Sequence, residues 1–239
     1  MKILGLDSSG LVASVAVVED DNLLAEYTVN YKKTHSQTLL PMLDEIAKMI
    51  ELELASIDAI AVAGGPGSFT GLRIGSATAK GLGLALDKPL ISIPTVDGIA
   101  YNLCGARDLV CPLMDARRNQ TYTGLYAFDG DAMEILVPQQ AVGIDEIVDT
   151  VNSFEREAVF LGDGVPVFRE FIMEHCRVPY RFAPAHMNKQ RAASLAVLAQ
   201  KYYAEGKTQT AAEHRPDYLR LSQAERERLE QERKKQWQQ

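Results

Sequence analysis

Three stretches carry residue types that could do chemistry. Asp7, in Leu6-Asp7-Ser8-Ser9-Gly10, closes the first apolar run. A carboxylate at a strand end can orient magnesium or a nucleotide phosphate, as in phosphoryl-transfer sites. The same aspartate, followed by Ser-Ser-Gly, can equally serve only to cap its own turn. Asp115-Ala116-Arg117-Arg118-Asn119 holds the matching place in the second half, where two arginines at a hairpin turn either grip a phosphate or carboxylate or simply face water. The third stretch, Gly64-Gly65-Pro66-Gly67-Ser68-Phe69-Thr70-Gly71, opens a helix, and helix N-termini attract anions through free N–H groups and the dipole. It is not a Walker A loop, because Thr70, Gly71 and Leu72 stand where that motif needs Gly-Lys-Ser/Thr. The candidate nucleotide set is therefore Asp7, Ser8, Ser9, Gly65 and Gly67, reading as weak ATP or ADP binding at most.

Other chemistries lack their residues. The four histidines, at 35, 175, 186 and 214, include no i, i+4 pair, and the three cysteines, 104, 111 and 176, form no Cys-x-x-Cys. No metal site is assigned. No Gly-x-Ser-x-Gly elbow occurs, so a hydrolase reading has no nucleophile to name.

Residues 2–7, 11–19 and 22–31 read as three strands, with a tight hairpin at Asp20-Asp21-Asn22. A helix follows from Thr38 to Leu54, with Leu39, Leu43, Ile46, Ile50 and Leu54 on one face and Met42 and Met49 widening it. With Thr38 as the cap, Pro41 falls in the first turn. A strand at 57–63, the glycine helix, a strand at 90–93 and a helical piece after Pro94 complete the first half. The second half predicts strands at 109–114, 121–128 and 135–137, a helix at 144–152, a strand at 158–161, and helices at 165–175 and 189–203. Three strands, helix, strand, helix thus occurs twice, which points to two similar α/β lobes: residues 1–104 and 105–221, with a charged tail or helix at 222–239. In that tail only Ala224, Leu229 and Trp237 are apolar, so it reads as a solvated face, with Trp237 docking on a partner as the alternative.

The glycine helix is the odd element. Gly71, Gly75, Ala79 and Gly83 recur every four residues and line one face almost without side chains. Its four glycines cost roughly 2–4 kcal/mol relative to alanine, at about 0.5–1 kcal/mol each. Close approach of another backbone, from within the lobe or from a second protein, would offset that loss.

The chain has 239 residues, 46% apolar and 24% charged, and can bury a real core. A net charge of −7 speaks against a protein that holds nucleic acid alone, since phosphate binding rests on clustered Lys and Arg. Asp7 comes too early for a signal peptide, and no apolar run approaches the roughly 20 residues of a membrane helix. A soluble cytoplasmic protein without membrane contact is the expectation.

With Ile3-Leu4-Gly5-Leu6-Asp7-Ser8-Ser9, His35-Ser36-Gln37, the Gly64 to Gly83 signature, Asp115-Ala116-Arg117-Arg118 and Pro216-Asp217-Tyr218-Leu219-Arg220, the chain resembles the TsaB (YeaZ) family of tRNA threonylcarbamoyladenosine synthesis over nearly its whole length. The resemblance implies an actin-like ATPase (ASKHA) fold, α/β, of two RNase H-like lobes with mixed five-stranded sheets. It extends to the catalytic paralogue TsaD, where a metal-binding His-x-x-x-His follows the motif seen here as Lys88-Pro89-Leu90. Thr95 and Ile99 take those two places, and neither ligates metal as imidazole does. Gly162-Asp163-Gly164 is at best a remnant of the glycine-rich adenosine motif.

What the resemblance implies is a non-catalytic subunit that binds TsaD, with the ATPase TsaE joining the assembly, in forming the threonylcarbamoyl group on adenosine 37 of tRNAs reading A-starting codons. The expected partner surface is Leu39, Met42, Leu43 and Ile46 of the first helix with Gly71, Ile74, Gly75, Thr78, Ala79 and Leu82 of the glycine helix. The same face would pair with itself as a homodimer when TsaD is absent, and tRNA would be met only indirectly. The competing reading is an independent enzyme, a small-molecule kinase, ATPase or peptidase. Asp7 favours it, while the missing nucleophile and ligands oppose it. Direct tRNA binding is a third reading, opposed by the acidic balance.

Overall fold

A computed structural model describes residues 1–31 and 35–219. The segment from 222 onward, with Trp237, and Arg220 and Leu221 before it, lie outside the described residues. The elements in order are β1 (Lys2–Asp7), β2 (Val12–Glu19), β3 (Asn22–Asn30), α1 (His35–Met49), β4 (Ala59–Gly65), α2 (Phe69–Leu86), β5 (Leu90–Pro94), α3 (Thr95–Ala100), β6 (Leu109–Asp115), β7 (Gln120–Asp129), β8 (Ala132–Gly143), α4 (Ile144–Ser153), β9 (Ala158–Leu161), α5 (Val165–His175), β10 (Tyr180–Phe182) and α6 (Ala192–Ala204).

They build two five-stranded sheets of one topology, β3-β2-β1-β4-β5 and β8-β7-β6-β9-β10. In each the first three strands form an antiparallel meander, and the fourth and fifth add in parallel beside the first. The doubled element order in the sequence is thus a doubled sheet.

Strand β1 is covered on both faces, so its residues read as a nearly unbroken apolar run. Leu4 and Leu6 join α1, Val62 and Ala79 in one cluster, while Ile3, one pleat away, joins Ala61, Ile93 and α6 in another. Gly5 lies beneath α6: a Cβ there would stand 2.5 Å from the Ala192 carbonyl oxygen. Helix α6 follows the second sheet in the chain yet packs against β1 and β2. Its first amides are held by that sheet as well, Ala192 N–H by Ser14 Oγ at 2.9 Å and Ala193 N–H by Glu26 Oε1 at 3.1 Å.

Helix α1 begins at His35, not at a Thr38 cap, which moves Pro41 out of the first turn. It ends at Met49, short of Leu54, because Glu51 turns left-handed (φ 51) and the Leu52 N–H bonds back to the Ala47 carbonyl at 2.8 Å. Two further departures lie in the second sheet. Strand β8 runs to Gly143 rather than ending near 137, and Tyr180–Phe182 adds an edge strand that three residues are too few to announce.

Candidate functional site

The central strands of the two sheets end at one cleft of about 610 Å³, whose walls include Ser9 and Gly10 after β1 and Met114 and Asp115 at the end of β6. Both strand-end aspartates adopt the turn-capping geometry. Asp7 Oδ1 accepts the Ser9 N–H at 2.8 Å and the Ser9 hydroxyl at 2.7 Å, and Asp115 Oδ1 accepts the Arg117 N–H at 2.7 Å. Asp7 is 3% exposed, and burial pushes its carboxyl up to about 6 against the pull of its Ser9 hydrogen bonds. Asp163, in the turn after β9, lines the cleft and is also raised by burial.

Of the candidate nucleotide residues, Ser9 and Gly67 line the cleft. Ser8 donates its hydroxyl to the Gly71 carbonyl at 2.8 Å, and Gly65 lies under the chain at Asp217, whose N–H bonds the Gly64 carbonyl at 2.6 Å. The N-terminus of α2 faces the cleft through Ser68, Phe69 and Thr70, but Ser68 Oγ already accepts the Gly71 N–H at 3.3 Å. Tyr218 closes this side, its ring 4.8 Å from that of Phe69, with the Arg73 guanidinium 4.0 Å from the Phe69 centroid.

His35, quoted with Ser36-Gln37 for the family resemblance but not named as a site residue, lines the cleft, and Gln190, which carried no distinguishing sequence signal, lies against Gly10 of its wall. His35 Nε2 bonds the Gly10 carbonyl at 2.8 Å, so that nitrogen carries a proton, and Nδ1 is the ring's second polar atom. That Nδ1 is buried without a hydrogen-bond partner among the described residues, as are Asp163 Oδ1 and both ends of the Gln190 amide. Thr95 and Ile99 serve packing: Thr95 Oγ1 accepts the Gly65 N–H at 3.2 Å, and Ile99 is 1% exposed. Among the described residues no group of three His, Cys, Asp or Glu side chains could hold a metal ion.

The partner surface expected from sequence is corrected. Gly71, Gly75, Ala79 and Gly83 are buried and face the chain's own sheet. A Cβ at Gly71 would lie 2.0 Å from the Ser8 carbonyl oxygen, and one at Gly75 would lie 2.6 Å from Ser8 Oγ. The row admits the β1–β2 turn, so its close approach is internal. Leu39, Met42, Leu43 and Ile46 are likewise at most 4% exposed, in the core cluster with Leu4 and Val62. Ile74, Thr78 and Leu82 are the three expected residues that remain half-buried. The outward face of α2 carries Arg73, Ala77, Gly81 and Leu84, with Leu84 72% exposed; neighbouring α1 presents Leu40 and Met49, the latter 83% exposed. Gly81 has nothing within 4 Å of a Cβ among the described residues, so no contact within them calls for a glycine there.

A doubled sheet of this topology with a cleft at the ends of its central strands defines the actin-like ATPase fold class. A family model described as "TsaD: tRNA N6-adenosine threonylcarbamoyltransferase" matches residues 22–228. The tRNA threonylcarbamoyladenosine biosynthesis protein TsaB of Bacillus subtilis (strain 168) is 32% identical over 96% of this chain and 99% of that protein. The TsaB of Escherichia coli (strain K12) is 30% identical over 92% and 95%. Among solved structures, YeaZ from Pseudomonas aeruginosa matches with a TM-score of 0.77 at 26% identity, over 91% of this chain and 99% of that one. The chain belongs to the TsaB family, within the wider group that the TsaD model describes.

Proposed function

We propose that this protein is a non-catalytic partner of a TsaD-type transferase and acts in forming threonylcarbamoyladenosine on tRNA, at adenosine 37 of tRNAs reading A-starting codons. The outward faces of α1 and α2 meet the transferase, a TsaE-type ATPase joins through the complex, and tRNA is contacted only indirectly. Alone, the same faces pair two copies of the chain. The assembly works in the cytoplasm; no helix among the described residues is long and apolar enough to cross a membrane. The lobes divide near residue 104, with α6 grouped by packing with the first sheet.

The observation that supports this reading is Gly81. A solvent-facing mid-helix glycine costs about 1 kcal/mol relative to alanine, and no contact among the described residues offsets it here. Its neighbours Ala77 and Leu84 make the face smooth and apolar, suited to a helix of a partner at short distance. The TsaB relatives, named for this biosynthesis, supply the pathway.

The test is reconstitution of the tRNA modification from purified components, with the chain omitted, restored, and restored as Gly81→Leu. Omission is expected to abolish product, and Gly81→Leu is expected to lower it while the variant's own melting transition is retained. Full activity without the chain would end the proposal. Titration of the isolated chain with ATP and magnesium addresses the independent-enzyme reading: tight binding abolished by Asp7→Ala would favour it.

A further inference from the structure

We infer that Asp97 and Asn102 lock the two sheets into one rigid unit, so that the cleft between them keeps a single width instead of opening and closing on a hinge. This concerns the junction between the sheets and goes beyond the partner role, which uses another face. Two modules joined by a small polar contact move against each other by default, and only a large apolar junction prevents it. Here the junction is a shared core. Val96 and Ile99 of α3 are buried in one cluster with Val110 and Tyr126 of the second sheet, while Phe128 and Met133 of the second sheet pack against the cluster that holds Ile3 and Ile93 of the first. All six residues of α3 are buried, and the helix packs against β4 of one sheet and β6 of the other.

Two polar contacts pin that core. Asp97, 3% exposed, accepts the Tyr126 hydroxyl of β7 on Oδ1 at 2.7 Å and the Tyr202 hydroxyl of α6 on Oδ2 at 3.4 Å. Burial, and after it the nearby Asp97 charge, raises both phenols above their ordinary value, so each stays a donor. Swinging the sheets apart would take the shorter of these bonds from a buried carboxyl, and a buried acceptor stripped of its donor is costly. The second pin lies at the hinge itself. The chain passes between the sheets twice, through residues 101–108 and 183–191. Asn102 on the first passage donates its Nδ2 amide to two carbonyls on the second, Met187 at 2.9 Å and Lys189 at 2.6 Å. Hinges open by changing backbone torsions in such passages, and Asn102 ties one to the other. Lys201 of α6 also reaches Asp131 in the β7–β8 turn at 2.8 Å, but that pair is exposed and adds little.

The test is backbone amide residual dipolar couplings on the weakly aligned full chain, which average over hinge motions in the microsecond-to-millisecond range. Couplings from β1 to β5 and from β6 to β10 are expected to fit one alignment tensor of the same magnitude in both sheets. Tyr126→Phe keeps the ring in the core and removes only the Asp97 donor, and Asn102→Ala, at a half-buried site, unties the two passages. In the double variant the common tensor should be lost, the two magnitudes diverging while the couplings within each sheet still fit that sheet's own geometry. Unequal tensors in the parent chain would overturn the proposal, and so would one shared tensor in the single and double variants alike. The parent measurement decides by itself, so a variant that fails to fold leaves the test standing.

Discussion

Gly71 and Ser8 touch backbone to backbone: the Ser8 hydroxyl donates to the Gly71 carbonyl at 2.8 Å, and a methyl on Gly71 would sit 2.0 Å from the Ser8 carbonyl oxygen. Both atoms in that clash are fixed, one by the β1–β2 turn and the other by α2. Gly71→Ala must therefore move the helix, and overpacking of this kind costs about 3 kcal/mol. Urea denaturation should show a loss of that size. A loss within the noise would mean that α2 slides freely over the turn.

Gly81 lies on the opposite side of the same helix and should answer oppositely. With nothing among the described residues within 4 Å of its Cβ position, Gly81→Ala should raise stability by about 0.5–1 kcal/mol through helix propensity. Gly81→Leu should leave the melting transition of the isolated chain intact while weakening self-association and transferase binding, both read by sedimentation. Unfolding by Gly81→Leu would place the residue in the core.

The contrast between these two glycines marks how far the sequence could be read. The four-residue spacing of Gly71, Gly75, Ala79 and Gly83 announces a close backbone approach, but the same spacing serves an internal turn or a foreign helix. Only the placement of Ser8 decides between them. The doubled sheet was legible because long apolar runs and tight turns repeat in order, whereas the short β10 carries no periodicity. The cleft was half legible. Asp7 and Asp115 stand at strand ends, but His35 and Gln190 arrive from separate segments and meet only through tertiary packing. Nor could chain order show that α6 returns to the first sheet.

Asp7 should leave a signature in the pH dependence of stability. Its carboxyl titrates near about 6 when folded, against an ordinary 3.8, so between those values the folded state holds a proton that the unfolded state has released. The unfolded state binds fewer protons there, so this group's contribution falls as pH rises through the window. Above it, the charged carboxylate costs up to about 3 kcal/mol at about 1.4 kcal/mol per unit. Asp7→Asn keeps an acceptor for Ser9 and removes the charge. It should be more stable than the parent at neutral pH, with the difference vanishing toward pH of about 4. Denaturation curves of both proteins across that range check it, and parallel profiles would show that Asp7 is solvated.

Glu26 on β3 ties the second half of the chain back to the first sheet. Its Oε2 pairs with Arg191, accepting from Nε at 3.0 Å and also from Nη2, while Oε1 accepts the Ala193 N–H at 3.1 Å at the start of α6. The carboxylate thus caps the helix, complements its dipole and satisfies a guanidinium. Its side chain is 9% exposed and that of Arg191 35%, so part of the ion pair is screened by water. Glu26→Gln retains one acceptor oxygen but forfeits the charge and the forked contact, which should cost about 1–2 kcal/mol. Hydrogen exchange offers the sharper reading. The Ala193 amide and the first turn of α6 should lose protection before β1 and β4 do, because the helix is docked there by side chains of another element while the central strands are held by their own ladder. Uniform loss of protection across sheet and helix would mean that α6 and the first sheet open as one unit.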